Sequence, residues 1–144
     1  MNYIDYFSSF QELYQRILLP ISEKYSLSSM ELTILLFLAN NPEYDTAAEI
    51  VRKRHLSKSH VSTSIHSLEE KGLLVKELRD GNRRSEHLVL CRKSRDIIKK
   101  GQDAQNLFLE TLCAGISDDQ KRDIICGLQK MNENVLQALV EVKK

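Results

Sequence analysis

The chain lacks the marks of an enzyme, a membrane protein or a disulfide scaffold. Its 144 residues contain no G-x-S-x-G, no Walker loop, no dinucleotide fingerprint and no Cys/His pattern with metal-ligand spacing, so no enzyme and no bound cofactor is expected. No stretch approaches the ~18 consecutive apolar residues that span a bilayer. The first residues also lack a basic region followed by an apolar segment and a small-residue cleavage site, so the expectation is a cytoplasmic protein with no membrane partner. Cysteine is scarce and odd in number: Cys91, Cys113 and Cys126 are far apart, which argues against a disulfide framework and for reduced, mostly buried thiols. Internal repeats and low-complexity segments are missing too.

What the chain does have is charge unevenly spread over a length suited to one globular domain. The net charge is only +1, yet residues 45–95 carry 12 Lys/Arg against 7 Asp/Glu, while the remainder carries 9 against 13. A basic middle between acidic ends is the asymmetry expected of a nucleic-acid-binding centre carried on helical arms.

Hydrophobic periodicity supplies the elements. Tyr3, Phe7, Phe10, Tyr14, Ile17 and Ile21 fall at helical spacing, which predicts a first helix ending near Pro20. Its aromatic stripe is expected in a core or an interface. Ser28 or Ser29 can cap a second, strongly apolar helix that Asn40, Asn41 and Pro42 stop. Asp45 or Thr46 opens a short third helix to about Arg54, and Ser57 caps a fourth that runs to Gly72. Residues 73–78 and 87–91 read as two strands joined through Gly81-Asn82 by a turn with a basic tip. Two long helices follow, from about Lys93 to Cys113 and from Ser117 to about Val142. In the last, Ile124, Leu128, Met131, Val135, Leu139 and Val142 form a nearly coiled-coil stripe that needs a partner surface.

In the fourth helix Val61, Ile65 and Leu68 must face inward, which leaves Ser59, Thr63 and His66 outside with His60, Ser62 and Ser67 at the flanks. A helix with this short, polar, uncharged face can enter a major groove N-terminus first, and Ser, Thr and His side chains can bond base edges and phosphates. Arginines on a thin hairpin suit a narrow, negatively polarised minor groove. DNA contacts are therefore expected from Ser57, Lys58, Ser59, His60, Ser62, Thr63 and His66, and from Arg83 and Arg84 at the hairpin tip. Arg52, Lys53 and Arg54 fit phosphate contact and a solvated helix end equally well.

Ala47-Ala48-Glu49-Ile50, Leu56-Ser57-Lys58-Ser59-His60-Val61-Ser62 and Leu68-Glu69-Glu70-Lys71-Gly72-Leu73 resemble the helix-turn-helix of the MarR family of regulators. Asn82-Arg83-Arg84 with Leu88 and Leu90 resembles that family's wing, and the order of elements matches over nearly the whole chain. The resemblance implies a mainly α fold with a small β-hairpin wing: a winged helix-turn-helix over residues 28–92, with dimerisation helices in 1–27 and 93–144 that form one structural unit with it. It also implies a triangular homodimer on a pseudo-palindromic double-stranded operator, usually as a repressor released by a phenolic or lipophilic small molecule bound between the two parts. Five positions depart from the family pattern. Asn82 replaces an Asp that would stiffen the wing, and Thr63 replaces an Arg on the recognition helix. His55 stands where Gly is common and so is expected in a left-handed conformation, and Cys91-Arg92-Lys93-Ser94 replaces Thr-x-x-Gly.

Two other readings remain open at this level: a regulator that senses oxidation through a cysteine, and a winged-helix interaction module that does not touch DNA. Metal sensing is disfavoured because His60 and His66 are six apart, which does not place them on one helix face.

Overall fold

A computed structural model describes residues 2–79, 81 and 85–142. The elements run α1 (Tyr3–Lys24), α2 (Ser29–Asn40), α3 (Ala47–Arg54), α4 (Lys58–Glu70), β1 (Leu74–Leu78), β2 (Glu86–Leu90), a short 3₁₀ turn (Arg92–Ser94), α5 (Arg95–Leu112) and α6 (Asp118–Val142). They group into two compact units, one through Phe108 and one from Leu109 onward.

The first unit is built around α2. Leu32, Ile34, Leu35, Leu36, Phe37 and Leu38 are all buried, so this helix is apolar on every side and must sit at the centre. Ser28 starts it through a capping box: its hydroxyl accepts the Glu31 N–H at 3.0 Å, and the Glu31 carboxylate accepts the Ser28 N–H at 3.1 Å. Asn41 ends it, with both its backbone and side-chain N–H groups donating to the Phe37 carbonyl. Around α2 pack Leu18 of α1, Ile50 of α3, Val61, Ile65 and Leu68 of α4, Leu74 and Leu88 of the hairpin, and Ile97 of α5. The approach of α5 is very close, since a Cβ on Gly101 would lie 2.5 Å from Leu36 Cδ2.

The first helix does not end near Pro20 but continues to Lys24. Proline removes one N–H and so one helical bond, but the turn beyond it is secured by other contacts. Ser22 is buried, Ile21 packs on the core, and the Ser22 carbonyl accepts the Leu27 N–H at 2.8 Å. The aromatic side chains of α1 are not core within one chain: Tyr3, Tyr6, Phe7 and Phe10 are exposed, and only Tyr14 is half-buried, edge-on to Phe108 at 5.2 Å.

In the second unit the Ser117 hydroxyl accepts the Gln120 N–H and the Gln120 side chain accepts the Ser117 N–H, which fixes the start of α6. Among its described residues α6 has none buried, and Ile124, Leu128, Met131, Val135, Leu139 and Val142 are all exposed. The expected burial of the thiols is corrected here. Cys126 is exposed on a helix that has no buried residue, while Cys113 and Cys91 are half-buried.

Candidate nucleic-acid interface

The residues of α4 sort by face as helical geometry requires. Val61, Ser64, Ile65 and Leu68 point into the core, while Ser57, Lys58, Ser59, His60, Ser62, Thr63 and His66 are all exposed. All seven expected residues therefore share one surface. The inward place of Ser64, one turn from Val61 and Leu68, went unassigned at the level of sequence because serine gives no apolar signal.

The start of this helix is built by its cap. The Ser57 hydroxyl accepts the His60 N–H at 3.1 Å and lies 3.1 Å from the Ser59 hydroxyl. Thr63 donates its hydroxyl proton to the Ser59 carbonyl at 2.9 Å, which leaves its oxygen lone pairs and its methyl group for a ligand. No carboxylate occurs from Ser57 to Leu68; Glu69 and Glu70 follow, and His66 lies 3.2 Å from Glu70. An anionic duplex is thus favoured against the first two turns, with His66 at the margin.

The turn before α4 is sharp because His55 takes the left-handed conformation expected of it, with φ +53°. The basic residues ahead of it have aromatic supports: Lys53 Nζ stands 4.4 Å from the centre of the Tyr44 ring, and the Arg54 guanidinium 5.7 Å from that of Phe37. Arg52 is exposed.

The far end of α4 is anchored by Glu31, which is 6% exposed. Its Oε2 accepts Lys71 Nζ at 2.8 Å and the Ser67 hydroxyl at 3.1 Å, and Lys71 also donates to the Ser26 carbonyl at 2.9 Å. Burial alone would raise the pKa of this carboxyl, but hydrogen bonds from Lys71, Ser28 and Ser67 and the Lys71 charge outweigh it, so the pKa lies below its ordinary value. One side chain therefore starts α2 and ties down the end of α4.

Beside α4 stands the antiparallel hairpin, with Leu74 opposite Leu90 and Leu78 opposite Glu86. A cleft of about 570 Å³ separates the two, lined by Lys58, Ser62 and Ile65 on one side and Lys76, Ser85 and Leu88 on the other. Arg83 and Arg84, and the substitution at Asn82, lie outside the described residues. The base of the hairpin carries an ion cluster that the linear pattern did not reveal: the Asp45 carboxylate meets Arg79 at 3.1 Å and His87 at 2.7 Å. These partners are 34 and 42 positions away in the chain, beyond the reach of any local motif.

Two helices joined by a tight turn, the second polar outside and followed directly by a two-stranded hairpin, define a winged helix-turn-helix. Residues 25–85 match the model of the MarR family. The whole chain has the fold of solved MarR proteins. A Listeria monocytogenes protein assigned to the family and solved with a 26mer DNA superimposes with a TM-score of 0.83 at 16% identity, covering 100% of this chain and 95% of its own. A MarR protein from Peptoclostridium difficile gives 0.83 at 19% identity, covering 99% and 92%. The MepR–DNA complex of S. aureus gives 0.77 at 17% identity, covering 93% and 96%. At such identities the likeness is one of fold. No curated protein matches the sequence. Among the described residues no helix is long and apolar enough to cross a membrane.

Proposed function

We propose that this chain is a cytoplasmic, sequence-specific DNA-binding transcription regulator, not an enzyme, that works as a homodimer on an inverted-repeat operator. The observation that carries this reading is the outward face of α4, on which seven polar or basic side chains are exposed together beside a hairpin, with no carboxylate in the helix before Glu69. Ser57, Lys58, Ser59, His60, Ser62, Thr63 and His66 are the residues proposed for the major groove and its phosphates, and Arg83 and Arg84 for the minor groove. Fold relatives solved with bound DNA support the assignment.

The exposed aromatic residues of α1 and the apolar stripe of α6 are the proposed dimer surfaces, since a lone chain leaves both uncovered. Repression is proposed to be released by a small lipophilic or phenolic ligand. An open groove of about 930 Å³ between α1 and α2, lined by Leu18, Leu19, Leu27 and Leu32 together with polar Gln11, Arg16 and Glu23, is the proposed place for such a guest.

Footprinting of the purified protein on the DNA flanking its own gene tests the reading. An A/T-rich inverted repeat should be protected, with half-sites about 34 Å or a multiple apart. Failure to retard any such fragment at low salt would refute it. Phenolic compounds added to the complex should release the DNA, and release by peroxide alone would favour a cysteine-based sensor.

A further inference from the structure

Asp45 lies in the connector between α2 and α3, and its side chain reaches both strands of the hairpin at once. Oδ1 is 2.7 Å from His87 Nδ1 on β2, and Oδ2 accepts Arg79 Nη1 at 3.1 Å, one residue past the end of β1. The backbone repeats the link: the Asp45 carbonyl accepts the Leu88 N–H at 2.7 Å, and Thr46 forms an antiparallel bridge with His87. Arg79 is in turn 3.9 Å from Glu77, which pairs with His87 across the strands. The side chains of His87 and Asp45 are 26% and 20% exposed, so solvent screens the pair only in part.

Capping does not explain this carboxylate. Thr46 caps α3, accepting the Glu49 N–H, while Glu49 answers the Thr46 N–H and hydroxyl. The Asp45 side chain has no bond to its own helix among those described, and both its oxygens are turned to the hairpin. A two-stranded ribbon is marginal by itself, and its angle to α4 depends on what ties it down at the base. Leu74 and Leu88 anchor one face by burial, and Asp45 ties the two strands from a third segment.

We propose that Asp45 is the positioning residue of the hairpin, gripping it through Arg79 just after β1 and through His87 on β2 so that its two strands keep a set angle to α4 when DNA is bound. The functional part rests on the DNA-reading role proposed above; the grip itself does not. A wing already oriented loses less freedom when it binds, and so binds more tightly.

The test uses the full chain and has two arms. Without DNA, hydrogen exchange at the Leu88 amide should rise about tenfold in Asp45→Asn, while exchange at Leu35 in α2 stays unchanged. Unchanged exchange at Leu88 overturns the proposal. With DNA, the fragment footprinted from beside its own gene is titrated in a double-mutant cycle. Asp45→Asn should weaken binding by about fivefold to tenfold in the native background and hardly at all once Arg83 and Arg84 are both alanine. A general loss of stability would act equally in both backgrounds, and that result would overturn the positioning role. His87→Gln, which keeps a donor for Asp45, should retain most of the affinity that His87→Phe loses. If the native protein binds no fragment, the DNA-reading function fails, and the Leu88 arm still decides whether the grip exists.

Discussion

Replacing Glu31 by Gln probes the contact that fixes the far end of α4. The substitution keeps an acceptor for the Ser28 N–H, so the start of α2 survives. It puts an amide where Oε2 accepts both Lys71 and Ser67. The Ser67 hydroxyl can rotate to accept instead, but the ammonium cannot, so one charge-assisted bond is lost, ordinarily about 1.5–3 kcal/mol. Lys71 is 36% exposed and recovers some hydration, which brings the expected cost to about 1–2 kcal/mol. Urea denaturation followed by circular dichroism at matched protein concentration measures it. The pH dependence supplies the second check. The carboxyl has a lowered pKa in the folded state, so its contribution is fully present above its ordinary value and disappears as pH falls through the folded one. The gap between native protein and variant should therefore be constant near neutrality and close in acid. A gap below about 0.5 kcal/mol at pH 7, the ordinary scatter of neutral surface changes, or one that persists undiminished at low pH, would refute the reasoning.

Gly101→Val should destabilise by about 2–3 kcal/mol through overpacking, because Leu36 lies 2.5 Å from the new Cβ and is fully buried, and thermal unfolding would show it. His55→Gly should stabilise by up to about 1 kcal/mol, since φ +53° penalises a side chain; a lower midpoint in urea would contradict this. Arg84→Ala should weaken operator binding without altering the dimer, and reduce the log–log salt slope by about one unit if one phosphate contact is lost. Gel-shift titration beside sedimentation reads both.

Apolar patterning and helix caps together yielded the order and type of nearly every element, because α2 is apolar on every side, α4 and α6 carry apolar stripes, and Ser28, Thr46 and Ser57 are strong caps. Pro20 misled because an intrinsic helix breaker was outweighed by packing of the turn after it, at Ile21 and Ser22. The outward face of α4 was legible because it is the complement of a core stripe. Glu31 with Lys71, and Asp45 with Arg79 and His87, were not: each joins segments 34 to 42 positions apart, where sequence holds no record of proximity. Cys126 was misjudged for a related reason, since an apolar helix face does not say whether its own chain covers it.

The carboxylates of α4 are gathered at one end. Lys58 opens the helix and Glu69-Glu70 close it, so the side-chain charge reinforces the positive N-terminus of the peptide dipole. A polyanion drifting within a screening length, about 8 Å at physiological salt, would be drawn to the leading turn and repelled from the trailing one. Which way round the two molecules dock would thus be chosen during diffusion, before any base edge is touched.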